Sequence, residues 1–192
     1  MRVKKSSIYS DGNQVMGYNG VDWLPDILLF SDYGGNWERY LEVLYKCFRE
    51  DFILHKPSIN GHRLALKRYP LELGKEATFW HLISEGKEES SRLPDFRRCE
   101  RIRWPKPLII NYSDQRIKAF CRKIRGENRI HLWFESEDYV VVIAERYDSQ
   151  RNDFYYLPWT AFYIDKDHTR RKFEEYYQAF KKADAALFGT TP

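Results

Sequence analysis

The sequence predicts an α+β fold: an N-terminal helix, an antiparallel β-sheet meander with a short basic helix, and a C-terminal helix. Apolar residues recur at three- and four-residue spacing in residues 37–52 and 169–187, which indicates an amphipathic helix near each end. Between them, residues 116–164 contain short strand-like segments separated by polar turns, a spacing typical of antiparallel hairpins. Helices segregated from an antiparallel sheet define the α+β class.

A single domain is expected after an N-terminal extension. The chain has 192 residues, of which 43% are hydrophobic and 17% aromatic, so it is too rich in core-forming side chains to be disordered. Residues 1–35 show no sustained period and are interpreted as an arm or a strand-bearing extension, and residues 36–192 as one α+β domain. Asn36 is predicted to cap the first helix, which ends before Pro57.

Two strands are expected after the first helix. The turn signal Asn60-Gly61 precedes residues 62–67, where apolar and polar side chains alternate as in a half-buried strand. Residues 77–84 are predicted to form the second strand.

A short basic helix is predicted at residues 94–103. Its side chains Phe96, Cys99 and Ile102 recur at three-residue spacing and are expected to face the core. The two prolines within residues 104–107 are expected to end the helix, because proline cannot continue the helical hydrogen-bond ladder.

The second half of the chain is predicted to hold an antiparallel meander of three or four strands. Residues 139–144 are all apolar, as expected for a central strand covered on both faces. Pro158 has no backbone donor, so its strand is predicted to lie at a sheet edge or to carry a bulge. The predicted strands are residues 116–123, 129–135, 139–146 and 154–164.

The basic residues are concentrated in one segment. The whole chain carries a net charge of +4, whereas residues 92–129 contain twelve basic and four acidic residues and carry +8. Arginine dominates, and its guanidinium group binds phosphate in a bidentate manner and stacks on bases. We therefore expect these arginines to form one basic surface that binds a polyanion, with Arg97, Arg103 and Arg122 as RNA-binding residues. The alternative is a solvated, arginine-rich surface without a ligand.

Several classes of protein are excluded or disfavoured by the sequence. No apolar run approaches the length of about 20 residues that a membrane-spanning helix needs, and no signal peptide is recognised. The three cysteines lack the spacing of a zinc site or disulfide framework, which favours a reduced, cytoplasmic protein. Phosphate-binding glycine loops and clustered metal ligands are absent from the sequence, so we expect neither a cofactor nor a metal ion.

Metal-free cleavage of RNA remains possible with the residues present. The RNA 2′-hydroxyl attacks, and the protein removes its proton, stabilises the charged phosphorane and protonates the leaving 5′-oxygen. On one predicted strand Arg129, His131 and Trp133 alternate with apolar residues and are predicted to be exposed, with Trp133 stacking a base. Lys118 and Arg122 alternate likewise on the neighbouring strand, so Lys118 and His131 are candidate catalytic residues. The alternative is a ladder of cross-strand pairs facing solvent.

Two further residues have both a functional and a structural interpretation. His81 is flanked by bulky apolar residues, which is typical of a hydrogen-bonded structural histidine, but the arginine-rich helix follows shortly after it. Thr160 lies between Trp159 and Ala161, where its hydroxyl group either contacts a phosphate or simply packs within the strand.

The order of elements and three short motifs resemble the barnase–EndoU–colicin–RelE group of ribonucleases, especially the toxin-like members of phages and prophages. The resemblance spans residues 36–165. It implies metal-independent RNA cleavage that leaves a 2′,3′-cyclic phosphate. By motif position it implies His81 as acid or base, Arg98 and Arg101 as phosphate binders, and Thr160 as a polar contact. The motifs are Thr78-Phe79-Trp80-His81-Leu82-Ile83, Leu93-Pro94-Asp95-Phe96-Arg97-Arg98-Cys99-Glu100-Arg101-Ile102 and Tyr155-Tyr156-Leu157-Pro158-Trp159-Thr160-Ala161.

The sequence is thus interpreted as that of a cytoplasmic, toxin-type endoribonuclease whose partner is RNA, together with an acidic inhibitor protein if the toxin has one. Two alternatives remain at this point. One is a nucleic-acid-binding module without catalysis, and the other is an interaction domain whose basic face meets an acidic protein.

Overall fold

The computed structural model describes residues 17–86 and 91–187 and confirms the α+β class. The first 16 residues of the predicted extension lie outside the described residues. The α-helices in the described part are α1 (Trp37–Arg49), α2 (Ala77–Ile83), α3 (Phe96–Glu100), α4 (Pro105–Ile110) and α5 (Asp167–Leu187). The strands there are β1 (Ser58–Ile59), β2 (His62–Arg63), β3 (Ser84–Glu85), β4 (Leu93–Pro94), β5 (Ile117–Ile124), β6 (Glu127–Phe134), β7 (Tyr139–Asp148) and β8 (Asp153–Tyr163).

Residues 17–35 pack against the rest of the chain. They form two short 3-10 turns and no strand. Leu24 is fully buried in the core, and the Tyr40 hydroxyl of α1 donates to the Leu28 carbonyl oxygen at 2.7 Å. This stretch therefore contributes to the same core as the helices and the sheet.

Helix α1 begins and runs as the sequence predicts. The Asn36 side-chain oxygen accepts a hydrogen bond from the Arg39 backbone amide at 2.9 Å, which caps the free amides of the first turn. A stripe that includes Tyr40 and Phe48 is fully buried. A π-helical segment, Glu50–Leu54, extends the helix toward Pro57.

The Asn60-Gly61 turn is confirmed, but the strand after it is short. Both residues have positive φ angles, 50° and 80°, as a two-residue hairpin between antiparallel strands requires. Only the first two residues of the predicted strand pair with β1, and Leu64 then makes a single bridge to Tyr156 of β8.

A four-stranded antiparallel sheet in the order β5-β6-β7-β8 confirms the predicted meander. The β5–β6 turn has Arg125 and Gly126 at φ 51° and 85°. Residues 139–144 of β7 are buried throughout, as expected for a strand covered on both faces.

The predicted irregularity at Pro158 is also confirmed. Strand β8 lies at the edge of the sheet, and the register opposite β7 shifts so that Val142 pairs with Thr160 whereas Ile143 pairs with Pro158. Trp159 is the extra residue of this bulge. A bulge re-aims side chains locally, which matters because Trp159 and Thr160 belong to the candidate site.

The sheet has a separate apolar core on each face. Val141 and Ile143 point toward the core built with α1, α2 and α4, whereas Val140 and Val142 point to the opposite face, where Phe173 of α5 packs. This division follows from the alternation of side chains along a strand. The predicted C-terminal helix on the sheet is thereby confirmed.

The predicted strand at residues 77–84 is wrong, because residues 77–83 form helix α2. Six of its seven residues are buried, and only Trp80 is partly exposed. A short element buried on nearly all sides has neither a helical nor a strand-like apolar period, so its alternation is not informative.

The predicted extent of the basic helix is also wrong. Helix α3 ends at Glu100, and Pro105 begins a new helix, α4, in place of ending one. Proline suits the first position of a helix because that position needs no amide donor. Cys99 and Ile102 are buried as predicted, whereas Phe96 is exposed.

Candidate functional site

Three residues that are distant in sequence meet beside the edge strand β8. The Arg98 Nη1 atom donates to the Thr160 hydroxyl oxygen at 3.0 Å, and that hydroxyl group donates to the His81 carbonyl oxygen at 3.3 Å. His81 belongs to α2, Arg98 to α3 and Thr160 to β8. The structure therefore brings together three of the candidate catalytic residues named from the sequence.

The start of α3 fixes the position of Arg98. The Asp95 side chain caps this helix by accepting from the Arg97 and Arg98 backbone amides, and its Oδ2 atom lies 3.4 Å from the Arg98 Nε atom. Arg98 Nη1 also donates to the Ser84 carbonyl oxygen at 3.0 Å. The Nε group is buried without a hydrogen-bond acceptor among the described residues. The position of Arg98 is thus fixed by one ion pair and two hydrogen bonds.

Arg97 and Arg101 lie next to this cluster and share an aromatic neighbour. The guanidinium carbons of Arg97 and Arg101 lie 5.0 Å and 5.4 Å from the centre of the Tyr163 ring, near the end of β8. Arg101 also contacts the Glu100 carboxylate at 3.3 Å, and its buried Nε has no acceptor among the described residues. Arg97 is exposed. Both cations therefore lie beside Tyr163, three residues along β8 from Thr160.

Trp159 forms the other boundary of the cluster. The His81 ring lies 5.8 Å from the Trp159 ring in an edge-to-face arrangement. Two further guanidinium groups approach Trp159, that of Arg129 at 4.0 Å and that of Arg146 at 5.7 Å, and the Glu127 carboxylate pairs with both. Sequence reasoning missed Trp159 and Arg146. The neighbouring Pro158 was the available signal, since it marked the bulge that redirects Trp159.

The expectation of one continuous basic surface is wrong. Arg116 pairs with Asp114 at 2.6 Å beside Trp23, and Lys106 pairs with Asp51 of the π-helical segment at 3.3 Å. Burial raises the pKa of the Asp51 carboxyl group, and the positive charges of Lys106 and then Arg103 partly offset that shift. Arg103 is exposed but lies on this α1 side of the molecule. The basic residues therefore divide among several places, where they contact carboxylates (Arg116, Lys106) or an aromatic ring (Arg122).

The predicted exposed row on β6 is buried beneath helix α5. Arg129, His131 and Trp133 are 7%, 3% and 0% exposed. The Phe173 ring of α5 lies 5.9 Å from the His131 ring and 5.8 Å from the Trp133 ring. The prediction that Trp133 stacks a base is therefore wrong. The alternative of a solvent-facing ladder is wrong as well, because the apolar side of α5 covers this face.

Lys118 and Arg122 hold α5 against the sheet. The Lys118 ammonium group lies 2.6 Å from both the Glu135 and Glu174 carboxylates, and Glu174 belongs to α5. The Arg122 guanidinium lies 3.3 Å from the centre of the Tyr176 ring, also on α5. Both cations project from β5, at the opposite edge of the sheet from β8. The structure thus separates Lys118 and Arg122 from His81, Arg98 and Thr160.

His131 is a neutral core residue. Burial lowers the pKa of its imidazole to about 4, and the neighbouring Arg122 and Arg129 charges add to that shift. Its Nδ1–H group donates to the Arg129 carbonyl oxygen at 3.1 Å, and its ring stacks on Phe120 at 5.0 Å. The assignment of His131 to proton transfer is therefore wrong, since the ring is sealed from a substrate.

An open cleft lies elsewhere. About 650 Å³ in volume, it separates β2 from the β7–β8 turn, and its lining includes His62, Arg63, Tyr147 and Phe154. It contains both signs of charge, and the ring pair Tyr147–Phe154 closes one side. We place the candidate site at the β8 cluster, because Arg98, Thr160 and the His81 main chain are joined there by hydrogen bonds.

Neither a metal-ligand cluster nor a membrane span is seen in the described residues. Within residues 17–86 and 91–187, no three His, Cys, Asp or Glu side chains approach closely enough to hold a metal ion. No helix in this part of the chain is both long and apolar enough to cross a bilayer. All three cysteines are free thiols.

Comparison with protein-family models, with curated proteins and with solved structures finds no match to this chain.

Proposed function

We propose that this protein binds RNA and cleaves it without a metal ion, as a toxin-type endoribonuclease. The observation that supports the proposal is the hydrogen-bonded meeting of Arg98, Thr160 and the His81 main chain. The resemblance inferred from the sequence names the same three residues, which come from three separate elements. Their meeting is not required by the sheet topology alone.

The proposed reaction uses proton transfer and cationic stabilisation. The RNA 2′-oxygen attacks the adjacent phosphorus and gives its proton to a base, while the bond from phosphorus to the 5′-oxygen breaks and that oxygen receives a proton. The products are a 2′,3′-cyclic phosphate and a 5′-hydroxyl. We assign one proton transfer to the imidazole of His81, which lies at the edge of Trp159.

Arg98 and Arg101 are proposed to stabilise the phosphorane. Their side chains are 12% and 13% exposed, so both cations are largely screened from water. Preorganised donors in a partly water-excluded place stabilise developing negative charge more strongly than exposed ones. Thr160 positions Arg98 through its hydroxyl oxygen at 3.0 Å. The exposed Arg97 is proposed to contact a neighbouring phosphate.

A binding module without catalysis is the second candidate. The observation that favours it is the burial of His81, which is 7% exposed. In that case Arg97, Arg98 and Arg101 bind phosphates and His81 is structural. We also propose that an acidic inhibitor protein covers the same cations. The proposed location of the protein is the cytoplasm, where RNA is present.

One experiment separates the two candidates. Labelled single-stranded RNA is incubated with excess protein in EDTA, and the ends of the products are analysed. The ribonuclease proposal expects cyclic-phosphate ends. Salt-dependent binding without any cleavage supports the module, with log affinity falling at about −0.7 per phosphate contact against log salt. If the protein neither binds nor cleaves the RNA, both candidate functions are contradicted.

A further inference from the structure

Strand β5 forms a free edge of the four-stranded sheet. It pairs with β6 along its whole length and stands first in the strand order β5-β6-β7-β8. The opposite edge strand, β8, is tied to the chain beyond the sheet, because the Ala65 amide donates to the Tyr156 carbonyl oxygen at 2.8 Å. Within the described part of the chain, β5 has a strand neighbour on one side only.

The β5–β6 turn determines which backbone groups of β5 point away from β6. Ile124 and Glu127 flank a two-residue turn, so they make the hydrogen-bonded pair that closes it. Hydrogen-bonded and non-hydrogen-bonded pairs alternate along an antiparallel ladder, which directs the amide and carbonyl groups of the odd-numbered residues of β5 outward. Ile117 fits this assignment, because its amide donates to the Asp114 carbonyl oxygen at 2.9 Å, outside the ladder.

The outward backbone groups in the middle of β5 have no backbone partner. Among the described residues, no backbone group bonds to Ala119, Cys121 or Lys123 across the free edge. Cys121 and Lys123 are exposed, and neither a proline nor a bulge interrupts the strand. An open row of alternating donors and acceptors of this kind is the surface to which another extended chain adds.

The free edge is also uniformly basic. Residues 116–125 contain five basic residues and no acidic residue. Two of these five cations already contact carboxylates. Arg122, Lys123 and Arg125 have no ion pair among the described residues. Like charges oppose the pairing of this edge with a second copy of itself, whereas a strand of opposite charge is attracted to it.

We propose that the β5 edge binds an extended, acidic segment of a partner protein, which adds to the sheet as a further strand. Its main chain bonds to Ala119, Cys121 and Lys123, and its carboxylates meet Arg122, Lys123 and Arg125. A nucleic acid fits this edge less well, because phosphates accept hydrogen bonds but cannot donate to the outward carbonyl groups. Because β5 and β8 are opposite edges, this partner is distinct from the inhibitor proposed to cover the cations beside β8.

The test uses the whole chain and a labelled, capped peptide in which glutamate and valine alternate over eight residues, the length of β5. Fluorescence anisotropy measures the Kd of the peptide, and amide hydrogen exchange followed by NMR shows where it binds. We expect saturating peptide to slow exchange about tenfold or more at Ala119, Cys121 and Lys123, because a hydrogen-bonded amide must open before it exchanges. Phe120 and Arg122, whose amides face β6, serve as the internal control.

Two pairs of variants separate the main-chain contribution from the charge. Cys121→Pro removes one outward amide, a change that an edge strand tolerates, and is expected to weaken binding about tenfold or more. Cys121→Ser keeps that amide and should keep the affinity. Lys123→Gln is expected to weaken binding about two- to fivefold, whereas Arg97→Gln, the same loss of charge beside β8, should have no effect. If Cys121→Pro does not fold, the exchange measurement and Lys123→Gln decide.

Several results would overturn the inference. One is unchanged exchange at the three outward amides with the peptide at about 1 mM, a concentration that detects even weak binding. Another is equal affinity for the same peptide with lysine in place of glutamate. Protection of the same amides by a polyuridine strand but not by the peptide would assign the edge to nucleic acid. A dimer of the peptide-free protein that Cys121→Pro abolishes would assign the edge to a second copy of the chain.

Discussion

The Arg98 Nη1 atom lies 3.0 Å from the Thr160 hydroxyl oxygen, although 62 positions separate the two residues in the chain. The same hydroxyl group donates to the His81 carbonyl oxygen, near the end of helix α2, where helix carbonyls lack partners of their own. One threonine therefore joins α2, α3 and β8, so this hydrogen-bonded group has a structural role as well as the functional one proposed.

Replacing Thr160 by valine tests the structural role. Thr160→Val keeps the shape of the side chain but removes an acceptor from Arg98 and a donor from the His81 carbonyl. We expect the free energy of unfolding to fall by about 1 to 2 kcal/mol, as for a partly buried polar group that loses its hydrogen-bond partner. Urea unfolding measures it. Thr169→Val is the control, and an equal effect at both positions would contradict the role assigned to Thr160.

The salt dependence of RNA binding tests Arg97 and Arg103 separately. If Arg97 contacts a phosphate, Arg97→Gln should reduce the slope of log affinity against log salt by about 0.7. Arg103 lies on the α1 side of the molecule, beside Asp51. Arg103→Gln should therefore leave the slope unchanged. A change in slope for Arg103→Gln but not for Arg97→Gln would place the bound RNA on the α1 side of the molecule instead.

The pH dependence of stability reports the burial of His131. Its pKa is about 4 in the folded protein and about 6.5 when unfolded, so between these values the unfolded chain binds the extra proton. The contribution of neutral His131 to the free energy of unfolding is therefore fully present above pH 6.5. It is lost as the pH drops toward 4, a decrease of about 3 kcal/mol. His131→Phe keeps a ring against Phe120 and should remove this part of the slope. If the free energy of unfolding changes between pH 7 and pH 4.5 by the same amount in His131→Phe as in the wild type, His131 does not titrate this way.

The attachment of α5 to the sheet depends on Lys118. Lys118→Met leaves Glu135 and Glu174 facing each other without their shared cation. We expect a loss of about 1 to 2 kcal/mol of stability, between the values for exposed and buried ion pairs. Lys123→Met, a change at an exposed residue of the same strand, is the control. Thermal or urea unfolding that shows no difference between the two variants would contradict this role.

The sheet could be predicted from the sequence because its signals are local. Turn pairs such as Asn60-Gly61 and Arg125-Gly126 have positive φ angles, and Pro158 lacks a donor, so their positions follow from backbone chemistry alone. Helix α2 could not be predicted, because a short element buried on nearly every side has no period.

The burial of the β6 row could not be predicted for a different reason. Alternation shows that His131 and Trp133 share a face, but not what covers that face. The apolar side of α5 packs on that same face of the sheet and buries it. The meeting of His81, Arg98 and Thr160 depends on long-range packing, so only the family resemblance pointed to these three residues together.

The most direct test of the account compares His81→Gln with His62→Gln under single-turnover conditions in EDTA. His62 lies in β2 outside the cluster, and its change should leave the cleavage rate unchanged. His81→Gln should lower the rate about a hundredfold or more, the usual contribution of a general acid or base, while the Kd for RNA stays within about threefold. A folded His81→Gln protein that cleaves at the wild-type rate would contradict the central claim.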